Sequence, residues 1–179
     1  MTGVVIETAR LRLRALRDED LADLVQLIGN WQVARWLTAV PYPYTPADGY
    51  AWILSVRRDH EGGNPRRFGI ALKEADRIIG GVGLDGDPGD DTDEAALGYW
   101  LGQPYWRNGY GREAVAAIIE HGFRALDLAS IRAYTDPDNA PSQKLLRHCG
   151  LAQVGDIDLA RPTRNSGARR APLFRIWRP

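Results

Sequence analysis

The sequence predicts a mixed α+β fold in a single domain spanning residues 1–179, and three observations lead there. Residues 68–72 and 77–84 are β-rich runs parted only by a turn around Glu74-Ala75-Asp76, a spacing that favours an antiparallel hairpin over a crossover. Residues 113–128 place Val115, Ile118, Ile119, Phe123 and Leu126 on one helical face, and residues 131–135 follow as a strand, which makes a strand, helix, strand unit. With 179 residues, 44% of them hydrophobic and 26% charged, the chain has the length and composition of one ordinary folded core.

Taken in order, Arg10-Leu11-Arg12-Leu13-Arg14 alternates charge and apolar bulk, which sets both leucines on one face of a half-buried strand. Asp18 is suited to cap a helix carrying Leu21, Leu24, Val25 and Ile28, with Gly29 at its stop. Thr45-Pro46-Ala47-Asp48 reads as N-cap, proline at the first helical position and an acid in the first turn of a second helix that closes at Gly62-Gly63. The hairpin comes next, then a polar loop with Asp85, Asp87, Asp90, Asp91, Asp93 and Glu94, then an apolar strand over 95–101. A short helix from Pro141 to His148 stops at Gly150, and strands near 151–159 and 173–177 flank an arginine-bearing loop.

Charge and cysteine usage exclude several classes. Lys+Arg and Asp+Glu both number 23, so there is no cationic surplus for nucleic acid or an anionic membrane. Cys149 is the only cysteine, which rules out an internal disulfide and a cysteine metal cage. The N-terminus lacks a signal-peptide pattern, and no run reaches the ~20 apolar residues of a membrane span, so a cytoplasmic protein is expected. The acidic loop does not read as calcium-binding, because Gly89 and Ala96 stand where oxygen ligands are needed, and no metal is assigned.

The most informative stretch is Gln103-Pro104-Tyr105-Trp106-Arg107-Asn108-Gly109-Tyr110-Gly111-Arg112, between a strand and a helix start. Glycines at 109 and 111 allow backbone N–H groups to converge on an anion, and the helix adds its positive end, so a phosphate is the natural guest. Arg112 and Glu113 replace the Lys-Ser/Thr of a Walker loop. Gly109-x-Gly111-x-x-Ala114, with Asp136 downstream, also fits a dinucleotide fingerprint, but the seven residues after Leu101 and the hairpins upstream do not.

These residues resemble the GNAT superfamily of N-acetyltransferases, and within it the ribosomal-protein alanine N-acetyltransferase-like branch. The likeness runs through Thr8-Ala9-Arg10-Leu11-Arg12-Leu13-Arg14, Ile78-Ile79-Gly80-Gly81-Val82-Gly83-Leu84, Leu97-Gly98-Tyr99-Trp100-Leu101, Tyr105 to Ala114, and Asn139-Ala140-Pro141-Ser142 through Cys149-Gly150-Leu151. The resemblance implies a mostly antiparallel twisted sheet of about seven strands with helices on both faces, and that family's fourth and fifth strands splayed apart. It implies acetyl-CoA as cosubstrate, with Trp106, Arg107, Asn108, Gly109, Tyr110, Gly111 and Arg112 at its pyrophosphate and Trp100, Leu101 and Asn139 on its pantetheine arm. Asn139 also reads as a helix N-cap.

Acetyl transfer to an amine needs a neutral nucleophile, stabilisation of the developing oxyanion and a proton for the departing thiolate. The family motif marks Ser142 as proton donor, and the N–H near Leu101 is the oxyanion candidate. Ala96 stands where many relatives of this branch carry an acid, which leaves Glu94 as a nearby candidate base. Trp31, Trp36 and Tyr42, with Arg35 and Tyr44, fall where the family builds one wall of the acceptor cleft, and aromatic faces suit an amine. Arg161, Arg164, Arg169 and Arg170 read as a solvated loop or as contacts to an acidic acceptor or the terminal phosphate of the cosubstrate. The expected acceptor is a small-molecule amine or a protein N-terminus, for a monomer or homodimer. A silent acyl-CoA-binding module or, further off, a nucleotide-dependent oxidoreductase remain as alternatives.

Overall fold

The computed structural model describes residues 3–86 and 93–179. Asp87, Asp90 and Asp91 of the acidic loop, and the Gly89 weighed as a calcium-loop position, lie outside the described residues. Among the described residues eight strands form one sheet: β1 (Ile6–Glu7), β2 (Leu11–Arg14), β3 (Arg67–Leu72), β4 (Ile78–Asp85), β5 (Glu94–Leu101), β6 (Ser130–Tyr134), β7 (Ala152–Asp158) and β8 (Arg170–Trp177). Their order is β1-β2-β3-β4-β5-β6-β8-β7, and every neighbouring pair is antiparallel except β5 with β6. The expected seven strands become eight through the two-residue β1, and the last two exchange places so that β8 sits inside and β7 forms the edge.

Among the described residues five α-helices cover both faces: α1 (Leu21–Gly29), α2 (Trp31–Ala34), α3 (Pro46–Glu61), α4 (Tyr110–Arg124) and α5 (Ala140–His148). The apolar stripe of α4 buries Val115, Ile118 and Ile119 against Leu11, Phe68 and Ile131 of the sheet. On the opposite face Leu24 of α1 and Ile53 and Val56 of α3 pack with Leu16, Ala71 and Ile78. The start of α3 follows its sequence: Thr45 N donates to Asp48 Oδ2 at 2.8 Å and Asp48 N to Thr45 Oγ1 at 3.3 Å, so two orphan N–H groups are satisfied reciprocally.

Two expectations need correction near the N-terminus. Asp18 does not cap α1; residues Asp18–Asp20 form a 3-10 turn ahead of it. Arg14 does not face solvent, as strict alternation would have it, but is 3% exposed and makes a bidentate pair with Asp20 at 2.8 and 3.0 Å. Its Nε also donates to Asp76 Oδ1 at 2.9 Å. The helix expected over 113–128 begins three residues earlier and ends at Arg124, which moves Gly111 into its first turn.

Candidate active site

Strands β5 and β6 pair only through Glu94–Ala96 against Ser130–Arg132, and beyond that they part. β4 stays zipped to β5 as far as Gly80 opposite Leu101, and Gly102 N donates to Ile79 O. Strand alternation then turns the backbone polar groups of Trp100 towards β4 and those of Tyr99 and Leu101 towards the gap. Of the two strand residues expected at the pantetheine, Leu101 therefore faces the opening. Trp100 is tied to β4, with its ring 6.0 Å from Trp52 on the other face of the sheet.

The glycine loop lies at the mouth of this gap. Trp106 Nε1 donates to Leu101 O at 2.8 Å, pinning the loop to the strand end, and Asn108 Nδ2 donates to Trp106 O. The chain then takes positive φ at Arg107 (63°) and at Gly109 (79°), so Gly109 is the left-handed N-cap of α4 and provides no capping side chain. The N–H groups of Tyr110, Gly111 and Arg112 have no carbonyl within the helix to receive them, and they open beside exposed Arg107, Asn108 and Gly109. An uncapped helix start of this kind fits a diphosphate. Gly111 contributes by its size: it is buried, and a Cβ there would stand 2.8 Å from Leu145 Cδ1 and 3.3 Å from Leu101 Cδ1.

Across the gap, Asn139 Oδ1 accepts from Ser142 N at 3.2 Å, so Asn139 does cap α5. Ser142 Oγ lies 2.7 Å from the Tyr99 hydroxyl. Burial above all pushes Tyr99 up to about 12, so its phenol stays protonated at neutral pH. Ser142 is marked by the family motif, whereas the only sequence signal for Tyr99 is its alternation with Leu97 and Leu101 on the strand face towards α5.

Glu94 is not near this chemistry. It opens β5, seven residues from Leu101, a separation of roughly 23 Å in an extended strand. Its carboxylate accepts from Ser130 Oγ at 2.8 Å and pairs with Arg175 at 2.8 Å. We therefore drop Glu94 as a base.

The aromatic residues of the N-terminal segment divide. Trp31 and Tyr42 meet at 5.1 Å between ring centroids and remain 42% and 45% exposed, whereas Trp36 stacks under Arg35 at 4.4 Å and Tyr44 is buried. Arg164 is neither solvated nor free for an anion. Its Nη1 donates to Ala34 O at 2.6 Å and Leu37 O at 3.0 Å, its Nη2 donates to Val40 O, and the guanidinium lies 5.8 Å from the centre of the Tyr42 ring. Arg170 pairs with Asp156 at 3.4 Å. Among the described residues no group of three or more His, Cys, Asp or Glu side chains could hold a metal ion, and no helix is long and apolar enough to cross a membrane.

A parted strand pair beside an uncapped helix start is the frame of an acyl-CoA transferase, and the comparisons name the family. An acetyltransferase (GNAT) domain model matches residues 10–152, and the chain belongs to that family as an acetyl-CoA-dependent acetyltransferase. It is 33% identical over 149 residues to p20 of Bacillus licheniformis, described as an uncharacterized N-acetyltransferase, covering 83% of this chain and 82% of that one. The ribosomal-protein-S5-alanine acetyltransferase of Vibrio fischeri superimposes with a TM-score of 0.81 at 22% identity, over 98% of this chain and 100% of that one. RimJ of Mycobacterium smegmatis, solved with a CoA disulfide, gives 0.75 at 22% identity over 93% and 81%. At these identities the two structures speak for the fold.

Proposed function

We propose that the protein is a single-domain cytoplasmic enzyme that transfers the acetyl group of acetyl-CoA to a primary amine by direct attack in a ternary complex. The acceptor is a small-molecule amine or a protein N-terminal α-amine, the latter suggested by the ribosomal-protein enzyme of the same fold. The observation that carries this reading is the gap between β5 and β6, which has an anion-ready loop at its mouth and a serine hydroxyl on its far side.

When bound, acetyl-CoA supplies an acyl group already activated as a thioester. The N–H groups of Tyr110 to Arg112 hold its diphosphate, and the polar backbone of Tyr99 and Leu101 lies along the arm. The Leu101 N–H polarises the acyl oxygen, a fixed dipole that needs no reorganisation as charge develops. Asn139, whose Oδ1 is spent on Ser142 N, offers its Nδ2 to the arm. Ser142 Oγ passes a proton to the departing thiolate while the Tyr99 hydroxyl at 2.7 Å steadies the oxygen left behind, which then takes up the proton released by the acylated nitrogen. With Glu94 tied up at the other end of β5, the enzyme draws on the neutral fraction of its amine, held by the exposed Trp31 and Tyr42 rings.

The test is thiol release from acetyl-CoA across a panel of amines and N-terminal peptides. The wild type should turn over at least one of them. Ser142→Ala should lower kcat on the order of 100-fold, the usual worth of a positioned general acid, with CoA affinity intact. Binding of CoA without turnover on any amine, or an undiminished Ser142→Ala enzyme, would contradict the proposal.

A further inference from the structure

We infer that Arg10, in the turn between β1 and β2, is a further coenzyme-binding residue that donates from its free guanidinium nitrogen to the diphosphate of CoA. The inference rests on the reading of the 106–112 loop as the coenzyme site. It comes from contacts that reach about a hundred residues along the chain. Thr8 Oγ1 and Arg10 N both donate to Glu113 Oε1, at 2.6 and 2.7 Å, while Arg10 Nε donates to Glu113 Oε2 at 2.8 Å. Arg10 Nη1 donates to Asn108 O at 2.8 Å, and the guanidinium lies 4.6 Å from the centre of the Tyr110 ring. Every residue it grips belongs to the loop or to the first turn of α4.

That arrangement leaves one nitrogen over. Nη2 has no protein partner among the described residues, and it stands 3.3 Å from where a Cβ would sit on Gly109, the residue that aims the helix-start N–H groups. The side chain is 48% exposed, so a ligand can reach it. A planar guanidinium held at Nε and Nη1 presents Nη2 with little rotamer freedom left to lose, which suits a phosphate oxygen. Glu113 sharpens the point. A carboxylate in the first turn of an anion-binding helix would repel phosphate unless neutralised, and Arg10 and Thr8 engage both of its oxygens. Burial pushes the Glu113 carboxyl up, but hydrogen bonds from Thr8 and Arg10 outweigh it and hold the group below its usual range.

Two roles for Arg10 can be separated, neutralising Glu113 and touching phosphate. We would titrate CoA calorimetrically into the full chain as wild type, Arg10→Met and Arg10→Met/Glu113→Gln, at low and high salt, and repeat with 3′-dephospho-CoA. Arg10→Met should bind CoA roughly 10- to 100-fold more weakly, the worth of a charge-assisted hydrogen bond. Its salt dependence should be shallower than that of the wild type, and the loss should be the same with 3′-dephospho-CoA. The double variant should stay weak. Should Arg10→Met not fold, as a thermal midpoint would show, Arg10→Lys carries the test: it keeps a cation and should lose affinity while retaining the wild-type salt slope. Affinity restored in the double variant, an unchanged salt slope in Arg10→Met, a loss that vanishes with 3′-dephospho-CoA, or wild-type affinity in Arg10→Lys would each overturn the contact with the diphosphate. Failure of the wild type itself to bind CoA would instead overturn the coenzyme reading of the loop.

Discussion

Arg14 and Asp20, at 3% and 6% exposure, form an ion pair that most of the surface arginines here do not resemble. Two facing charges out of water stay favourable only while each satisfies the other, and removing one strands its partner. Arg14 keeps a second acid, Asp76, which also pairs with Arg17 at 2.7 Å. Losing Asp20 still removes the bidentate contact and the acceptor that receives Arg17 N at 2.7 Å. Asp20→Ala is therefore expected to cost about 3 kcal/mol of unfolding free energy in a urea titration. A loss under ~0.5 kcal/mol, the range of ordinary surface substitutions, would show that Asp76 compensates fully. Gly111 acts on the same scale. Its smallness lets α4 lie against Leu101 and Leu145, so the residue shapes the site by packing rather than by left-handed geometry.

At the scale of elements, the connection between β7 and β8 is a strap held near its middle, at Arg164 and Ser166. Asp136, just beyond β6, accepts from Ser166 N at 3.1 Å and Ser166 Oγ at 2.9 Å, and Arg164 ties the same loop to the carbonyls of Ala34, at the end of α2, and of Leu37 beyond it. The strap thereby fixes Tyr42, and with it Trp31, as one wall of the proposed acceptor cleft. Arg164→Ala should raise the KM for the acceptor amine roughly tenfold, equivalent to ~1.4 kcal/mol of lost positioning. CoA affinity should stay level, as steady-state kinetics at saturating acetyl-CoA beside a CoA titration would show; an unchanged KM would remove the strap from acceptor binding. Element by element, much of this architecture was legible from the chain. The period-two run at 10–14, the helix start at Thr45-Pro46 and the stripe on α4 are local signals, and a strand and two helices do form there, although buried Arg14 breaks the alternation. Arg10 with Glu113, Arg164 with Ala34 and Tyr99 with Ser142 were not legible, because each joins residues 43 to 130 positions apart and leaves no periodic trace. Glu94 misled for the opposite reason: proximity in sequence to position 96 put it near the chemistry on paper, while the extended strand carries it away.

For the whole molecule, the sheet is held shut on its flanks and open in the middle. Antiparallel ladders run through β1 to β5 and through β6, β8 and β7, and the only parallel seam among the described residues, β5 against β6, closes for three residues before parting. The α4 cluster spans the seam, joining Leu97 of β5 to Ile131 of β6 and Phe174 of β8, while a second cluster packs α1 and α3 against β3 and β4 on the opposite face. An open seam inside a rigid frame can receive an extended ligand without unfolding either half, which suits the family to which the chain belongs. The most direct measurement is a crystal structure with CoA. Diphosphate oxygens are expected about 3 Å from the N–H groups of Tyr110 to Arg112, hydrogen-bond distance, with the arm between β5 and β6 and the sulfur beside Ser142. A coenzyme bound elsewhere, or a seam closed along the whole of β5 with the arm outside it, would contradict the account.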